Sequence, residues 1–281
     1  MRKHKLDWND VEKIIDNALR EDVGDGDITT EALFDRSISC HAVIRSKEDG
    51  ILCGLPVAQL VFERLDGSLK WNENKKDGDL LKEGDKIVEV VGNQKHILTG
   101  ERLALNILQR MSGISTLTSK FVKEVSDLNV KIVDTRKTVP GFRSLGKYAV
   151  TIGGGYNHRF GLFDGVLIKD NHIKLAGTIT DAVSKIRSKL KNKYKIEVET
   201  KKFDQVKEAV SAGADIIMLD NMSVDDMKTA VKYINGVALV EASGGITLST
   251  VRDVAKTGVD FISVGALTHS AKALDISLDM L

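Results

Sequence analysis

The sequence predicts an α/β protein whose larger part is a parallel α/β barrel. After about residue 113, short apolar runs alternate with helical stretches, and most runs are rich in β-branched residues, as strands buried on both faces are. Six such units in a row favour a barrel over an open doubly wound sheet, the main structural alternative. The strand candidates are Val130–Val133, Gly165–Ile168, Lys195–Val198, Asp215–Leu219, Val237–Val240 and Asp260–Val264, and helical patterns include Thr180–Lys191, Asp204–Ala212, Asp225–Tyr233 and Thr247–Lys256.

The first part of the chain predicts a small α+β domain. Apolar residues between Trp8 and Leu19 recur at helical spacing, with Asp7 or Asn9 available as the N-cap. Between Ser39 and Leu98 the pattern changes to short β-like runs separated by glycine. A long helical pattern then begins near Thr99. The first part therefore ends in a long helix.

Bulk composition excludes several classes of protein. The chain has 281 residues and a net charge of +1, so it has no overall attraction to nucleic acid or to membrane surfaces. No apolar stretch approaches the roughly 20 residues that cross a bilayer. Its two cysteines, Cys40 and Cys53, have neither metal-site nor disulfide-framework spacing. A reducing cytoplasm fits this composition.

Polar residues end almost every strand candidate. Glu199 and Asp220 end two neighbouring strands, and the carboxyl ends of barrel strands meet at one mouth, where catalytic groups lie. Such a carboxylate pair can hold Mg²⁺ together with phosphate oxygens, or stabilise cationic character in a sugar ring. Either acid can instead be a structural partner of a lysine at the mouth.

Glycine-rich turns follow the last two strand candidates, in the sequences SGGI and VGAL. In barrels, the loops after the last strands often hold a phosphate on backbone N–H groups, and glycine permits the close approach. Each turn alone is weak evidence for a phosphate site, but the two turns together favour a sugar-phosphate ligand.

Residues 134–172 combine glycine-rich sequence with six basic and three acidic side chains. Basic side chains beside flexible backbone suit a small, multiply charged anion. His158 with Arg159 is a plausible anion clamp, although a lone histidine is more often structural. The alternative for the whole segment is a solvated surface loop.

Eight ordered motifs resemble the quinolinate phosphoribosyltransferase family, also called nicotinate-nucleotide pyrophosphorylase (carboxylating). They are EDVGDGDITT, ERLALNILQRMSGIST, DTRKTVPGFR, KYAVTIGGGYNHRFGLFDGVLIKDNH, IEVET, IIMLDN, EASGGI and VGALTHS. The resemblance implies that quinolinate and phosphoribosyl pyrophosphate, with Mg²⁺, give nicotinate mononucleotide, pyrophosphate and CO₂ in NAD biosynthesis. It also implies an incomplete α/β barrel with an N-terminal α/β sandwich domain, in a cytoplasmic homodimer or higher oligomer with shared active sites.

The resemblance implies domain spans and site residues as well. The sandwich would cover 1–112, the barrel 113–269, and residues 270–281 would return to the sandwich. The implied catalytic residues are Lys137, Lys169, Glu199 and Asp220, and the last two would also hold Mg²⁺ through pyrophosphate. The implied substrate-binding residues are Arg102 from the neighbouring subunit, Thr135, Arg136, Lys137, His158, Arg159, Lys169, Glu199, Asp220, Ser243, Gly244, Gly245, Val264, Gly265 and Ala266.

Three other functions fit some of these residues. A related phosphoribosyltransferase would act on another aromatic acid. A class I aldolase would use Lys169 as a Schiff base. A non-enzymatic sugar-phosphate sensor would bind its ligand without turnover, and the carboxylate pair would then have no purpose.

Overall fold

The computed structural model describes Met1 and residues 3–281. Its helices are α1 Trp8–Val23, α2 Ile28–Leu33, α3 Leu55–Leu65, α4 Gln94–Glu124, α5 Arg143–Ile152, α6 Asp170–Ala176, α7 Ile179–Leu190, α8 Phe203–Ser211, α9 Val224–Ile234, α10 Val251–Ala255 and α11 Ala266–His269. Its strands are β1 Ser39–Ser46, β2 Gly50–Ile51, β3 Lys70–Glu73, β4 Leu80–Leu81, β5 Lys86–Asn93, β6 Lys131–Val133, β7 Val166–Ile168, β8 Ile196–Thr200, β9 Ile216–Asp220, β10 Leu239–Ser243, β11 Phe261–Ser263 and β12 Ile276–Met280.

The described chain packs as two compact units. The antiparallel-sheet unit contains residues 3–119, 137–154 and 266–281, and the parallel-sheet unit contains residues 120–136 and 155–265 together with Met1. These units are defined by the packing of the chain. The domain spans 1–112 and 113–269, which the resemblance implies, stay a prediction. None of the described helices combines the length and the apolar character that crossing a bilayer requires.

The antiparallel-sheet unit is built on four strands in the order β12-β1-β5-β3. Strand β12, close to the end of the chain, pairs with β1 in the register that sets Ala42 opposite Met280. Helix α1 begins after Asp7, whose carboxylate accepts the N–H of Asn9 at 3.1 Å. It buries Val11 and Ile15, four residues apart, as an amphipathic helix does.

Helix α4 begins at Gln94, five residues before the position that the sequence suggests. The amide of Gln94 accepts the N–H of Ile38 at 2.6 Å and donates to the carbonyl of Arg36 at 2.9 Å. The side chain of Asn93 accepts the N–H of Lys95 at 3.0 Å, which satisfies one of the free donors of the first turn. These contacts fix the helix start with residues that lie almost 60 positions away, and a local pattern does not reveal such partners.

The parallel-sheet unit contains the six strands that the sequence predicts, with ends that differ by up to three residues. Their order is β6-β11-β10-β9-β8-β7, and all adjacent pairs are parallel. Neighbours in the sheet are neighbours in sequence, except that β6 lies beside β11. This circular order is that of a barrel left open between β6 and β7. The predicted incomplete α/β barrel is therefore confirmed, and the doubly wound alternative is wrong.

Side chains with charge share one face of this sheet. The register pairs Glu199 with Met218 and Met218 with Glu241, and Ser243 pairs with Asp220, so these residues lie on the same face. Glu197 lies two residues before Glu199 and points the same way. Since side chains on β8 and β10 both reach the ring of His158 across β9, this face is the concave inner one. The polar groups therefore lie inside the incomplete barrel.

Candidate active site

Two carboxylates lie near the ends of adjacent strands on the inner face. Asp220 is the last residue of β9, and Glu199 is the penultimate residue of β8. Burial raises the pKa of Glu199 above its usual value, and the nearby charge of Asp220 raises it further. The amide of Asn221 donates to Asp220 at 3.0 Å. The structure thus brings together the two acids that the sequence singles out.

Lysines lie beside this carboxylate pair. Lys169 directly precedes α6, and its backbone N–H donates to Nδ1 of His172 at 3.0 Å, which closes the start of that helix. The charge of Lys169 lowers the pKa of Glu199 and partly opposes its burial. Nζ of Lys201 lies 3.1 Å from Asp170 and 4.0 Å from Glu199. The strand ends therefore carry carboxylates and amines side by side. The amines suit the phosphate groups of a ligand, and the carboxylates suit a divalent cation bound to those phosphates.

Arg136 and Arg159 form a second group. Burial lowers the pKa of Arg159, and repulsion from Arg136 lowers it further. One terminal nitrogen of Arg159 donates to the carbonyl of Gly165 at 2.8 Å. Nε of Arg136 is buried and has no hydrogen-bond partner among the described residues. Two repelling guanidinium groups with an unused donor form a site for an anion.

Buried Asp134 connects the segments that carry these arginines. Its carboxylate accepts the backbone N–H of His158 at 2.9 Å and the side-chain amide of Asn157 at 2.6 Å. Tyr156 forms an isolated parallel bridge with Val133, so residues 156–158 continue along the free edge of β6. The turn after β6 and the segment that ends at Arg159 are therefore held together by one carboxylate. Thr135 lies in the same turn.

Glu197 and Glu241 are further functional candidates; the sequence places Glu241 among the polar strand ends but does not single out Glu197. Both lie in the interior of their strands and are buried. Burial raises the pKa of Glu197 to about 7, while the charge of Arg159 lowers it. Burial and the charge of Glu197 raise the pKa of Glu241 to about 8. The signal available in the sequence is a glutamate two residues before Glu199, inside an apolar run.

The charges on the inner face are coupled through Glu197. The charges of Arg159 and Lys169 both lower its pKa, and the charge of Glu199 raises it. Arg136 acts on Arg159 in turn. The charges of Arg136, Arg159, Lys169 and Glu199 therefore act on one another within the parallel-sheet unit.

The cavity beside His158 and Arg159 opens elsewhere than expected. It has a volume of about 370 Å³ and is also lined by Val166, Lys195 and Ile216, at the beginnings of β7, β8 and β9. The acids Glu199 and Asp220 lie toward the opposite ends of their strands. The sequence predicts Glu199 and Asp220 at the carboxyl ends of strands, whereas His158 and Arg159 follow none of the predicted strands directly.

The glycine turn after β10 has the backbone geometry that only glycine adopts easily. Gly244 has φ +94° and Gly245 has φ +61°. A Cβ at Gly244 would collide with the side chain of Asn221, whereas Gly245 faces open space. After β11, the backbone N–H of Val264 is already donated to Val133 at 2.9 Å. Gly265 follows it directly.

Three expected site residues belong to the antiparallel-sheet unit. Arg102 lies on α4 with 61% of its side chain exposed. Lys137 is exposed, and its backbone carbonyl accepts the hydroxyl of Thr268 at 2.7 Å. Ala266 is the first residue of α11. Arg110 holds the same short helix by donating to the carbonyls of Thr268 and Ala271 at 2.9 and 2.6 Å.

Comparison with known proteins gives consistent matches over most of the chain. The sequence profile described as quinolinate phosphoribosyl transferase, N-terminal domain, matches residues 27–112, and the profile for the C-terminal domain matches residues 114–279. The probable nicotinate-nucleotide pyrophosphorylase (carboxylating) of Bacillus subtilis is 46% identical over 270 residues, which cover 96% of this chain and 93% of the relative. The chloroplastic nicotinate-nucleotide pyrophosphorylase (carboxylating) of Arabidopsis thaliana is 46% identical, with 96% and 82% covered.

A solved structure agrees with these sequence matches. The nicotinate-nucleotide pyrophosphorylase from Francisella tularensis superposes with a TM-score of 0.95 at 42% identity, covering 100% of this chain and 99% of that one. Profile, sequence and fold thus agree from end to end. The chain belongs to the quinolinate phosphoribosyltransferase family.

Proposed function

We propose that the chain performs the carboxylating nicotinate-nucleotide pyrophosphorylase reaction on the inner face of the parallel sheet. As a family member it is a phosphoribosyltransferase of NAD biosynthesis that acts on quinolinate. Quinolinate and phosphoribosyl pyrophosphate give nicotinate mononucleotide, pyrophosphate and CO₂. The relatives do not favour the aldolase or the sugar-phosphate sensor. The observation that carries the residue assignment is the pairing of Arg136 with Arg159.

The arginine pair suits the two adjacent carboxylates of quinolinate. A dianion bound between two guanidinium groups relieves the repulsion between them. Each charge-assisted hydrogen bond to the dianion contributes about 1.5–3 kcal/mol to the binding free energy. The buried Nε of Arg136 supplies a donor that the described chain leaves unused. Lys137 and Lys169 are the further cations that we assign to the diacid.

The carboxylates of Glu199 and Asp220 suit the ribose of phosphoribosyl pyrophosphate. As pyrophosphate leaves, positive charge develops at the anomeric carbon of the ribose, and Glu199 and Asp220 are placed on adjacent strands to stabilise it. The pyridine nitrogen then bonds to that carbon and becomes cationic. The electron pair of the bond to the neighbouring carboxylate moves into the ring, CO₂ leaves, and the ring carbon takes a proton. No protein nucleophile is needed.

The same two acids fit a divalent cation. Their oxygens are the ligands that Mg²⁺ prefers, and the repulsion that raises the pKa of Glu199 is the kind that a cation relieves. Mg²⁺ bound there would neutralise pyrophosphate oxygens. Glu199 and Asp220 would hold it together with the pyrophosphate.

The glycine turns suit the sugar phosphate. Ser243 ends β10, and Gly244 and Gly245 follow it with positive φ, a backbone geometry that can direct N–H groups toward an anion. Gly265 and Ala266 are the assigned partners after β11, whereas Val264 contributes by shape because its N–H is already used.

A second subunit completes the proposed site. The guanidinium of Arg102 is exposed, with Glu101 4.0 Å away, and the family resemblance implies that it reaches an anion bound by a neighbouring copy. Equal mixing of Arg102→Ala with Asp220→Asn chains tests this, because a mixed dimer would contain one intact site. We expect each homodimer to be inactive and the mixture to recover activity, and no recovery would contradict a shared site.

The reaction itself is tested by incubating the chain with quinolinate, phosphoribosyl pyrophosphate and Mg²⁺. We expect nicotinate mononucleotide and CO₂ in equal amounts. Replacing quinolinate with other aromatic acids decides against the alternative of a related phosphoribosyltransferase. A faster reaction with any of those acids would contradict the proposal.

We also propose that the protein works in the cytoplasm. Cys40 and Cys53 are free thiols, which suits a reducing compartment. Relatives differ in this respect, since the Arabidopsis protein is named as chloroplastic. Fractionation of the source cells, with immunodetection of this chain, tests the location.

A further inference from the structure

Asn221 has the left-handed backbone that glycine adopts most easily, with φ +56°. Lys191 and Asn235, which share this conformation, cap the C-termini of α7 and α9, and Asn192 directly follows Lys191. Asn221 instead lies between the end of β9 and the N-cap of α9 at Ser223. A left-handed residue other than glycine beside a proposed ligand site points to a role for its side chain there.

The hydrogen bonds of Asn221 join the acid that ends β9 to the end of β10. Its side-chain amide donates to Oδ2 of Asp220 at 3.0 Å, and its backbone N–H donates to the carbonyl of Ser243 at 2.9 Å. Asp220 and Ser243 are themselves paired across the two strands. The backbone of Asn221 therefore continues the parallel ladder by one residue beyond the last strand pair.

The side chain of Asn221 also lies against the glycine turn after β10. A Cβ at Gly244 would collide with Oδ1, Cγ and Nδ2 of this amide, so the missing side chain at Gly244 makes room for it. The turn thus limits the movement of the amide on one side. On the other side, the amide presents an N–H to the carboxylate of Asp220.

We propose that Asn221 is a positioning residue of the phosphoribosyl site, whose amide holds the carboxylate of Asp220 in the orientation that meets the ribose. This inference rests on the proposed function, because the ribose is the ligand assigned above to Asp220. The last torsion of an aspartate has broad minima, so a donor is needed to fix the carboxylate. Asn221 supplies that donor from a backbone that is itself held by β10.

Asn221→Gly separates this role from that of a residue that only makes the turn. Glycine adopts a positive φ without strain, so the turn is kept while the amide is lost. We expect the KM for phosphoribosyl pyrophosphate to rise about three- to tenfold, as the loss of one hydrogen bond to a carboxylate implies, and the KM for quinolinate to change less than about twofold. Equal melting temperatures would show that the fold is unchanged.

The matched control is Asn235→Gly, because Asn235 is an exposed asparagine with φ +45° in the same unit. It should leave both KM values unchanged. If Asn221 only makes the turn, Asn221→Gly will behave like this control, and that result would overturn the proposal. So would an Asn221→Gly variant that raises the two KM values equally.

A double-mutant cycle shows whether Asn221 acts through Asp220. Calorimetry measures the dissociation constant of phosphoribosyl pyrophosphate with Mg²⁺ for the wild type, Asn221→Gly, Asp220→Ala and the double variant. We expect Asn221→Gly to weaken binding about three- to tenfold beside the native Asp220, and less than about twofold beside Ala at that position. An equal effect in both backgrounds would show that Asn221 binds the ligand by itself, and would overturn the proposal.

Crystal structures of ligand-free wild type and Asn221→Gly test the orientation directly. We expect the backbone of residues 220–223 to superpose, while the carboxylate of Asp220 turns away from its wild-type orientation. A carboxylate that keeps this orientation in Asn221→Gly would overturn the proposal. If the wild type binds phosphoribosyl pyrophosphate but forms no nicotinate mononucleotide, the proposed function fails, while the binding cycle still judges Asn221. If the wild type does not bind phosphoribosyl pyrophosphate, both proposals are overturned.

Discussion

Replacing Glu241 by glutamine should make the folded protein more stable at alkaline pH. Burial and the charge of Glu197 raise the pKa of Glu241 from 4.5 to about 8. A group whose pKa is higher in the folded protein contributes stability that is complete below about pH 4.5 and is lost as the pH rises through about 8. At about 1.4 kcal/mol per pH unit, this loss amounts to at most about 5 kcal/mol. A glutamine stays neutral and avoids it.

The measurement is urea denaturation of the wild type and of Glu241→Gln at pH 5, 7 and 9. The two proteins should be nearly equal in free energy of unfolding at pH 5, and the variant should gain up to about 5 kcal/mol by pH 9. Because Glu197 and Glu241 titrate as a coupled pair, the gain is assigned to the pair and not to one carboxyl. Glu124→Gln is the control, whose difference from the wild type should not vary with pH. A difference between Glu241→Gln and the wild type that is the same at all three pH values would show that the buried carboxyl pair does not titrate in this range.

Three further substitutions test the other parts of the site. Arg159→Lys keeps the charge but loses the two-pronged geometry, so the KM for quinolinate should rise about tenfold or more in steady-state assays, while the matched Arg187→Lys leaves it unchanged. Gly244 has φ +94° and lies against a neighbouring side chain, so Gly244→Ala should raise the KM for phosphoribosyl pyrophosphate. The control Gly236→Ala, at φ +78° in open space, should lower only the melting temperature. Equal effects of the two variants on this KM would contradict the assignment of Gly244 to the phosphate site. Thr268→Val removes the 2.7 Å hydrogen bond to the carbonyl of the predicted substrate lysine and should raise the KM for quinolinate about two- to tenfold, whereas Thr268→Ser should restore it.

The local sequence pattern was sufficient for the parallel sheet. Continuous β-branched runs such as Val130–Val133 predict buried strands because both faces of those strands are covered. Their ends were less predictable, since β8 and β9 extend to Thr200 and Asp220. A polar residue ends an apolar run, yet its backbone can still pair with the next strand. The acids thus lie within the strand ends instead of after them.

The interior of the site was not predictable from local pattern. Glu197 and Glu241 lie in apolar runs on strands that are not adjacent, and only the curvature of the sheet brings both to one histidine ring. Asp134 directly follows a strand candidate in the sequence, but its hydrogen bond to the N–H of His158 depends on an isolated bridge at the edge of β6. Long-range contacts of this kind have no periodic signal.

Arg136 and Arg159 together are expected to bind the second carboxylate of quinolinate. Quinolinate and nicotinate, which lacks that carboxylate, would give the same mononucleotide, so one chromatographic assay compares them directly. The kcat/KM should be at least about tenfold higher for quinolinate than for nicotinate, and this preference should be much smaller in Arg136→Met. Equal kcat/KM values for the two acids in the wild type, or a preference that survives in Arg136→Met, would show that these arginines do not bind the second carboxylate.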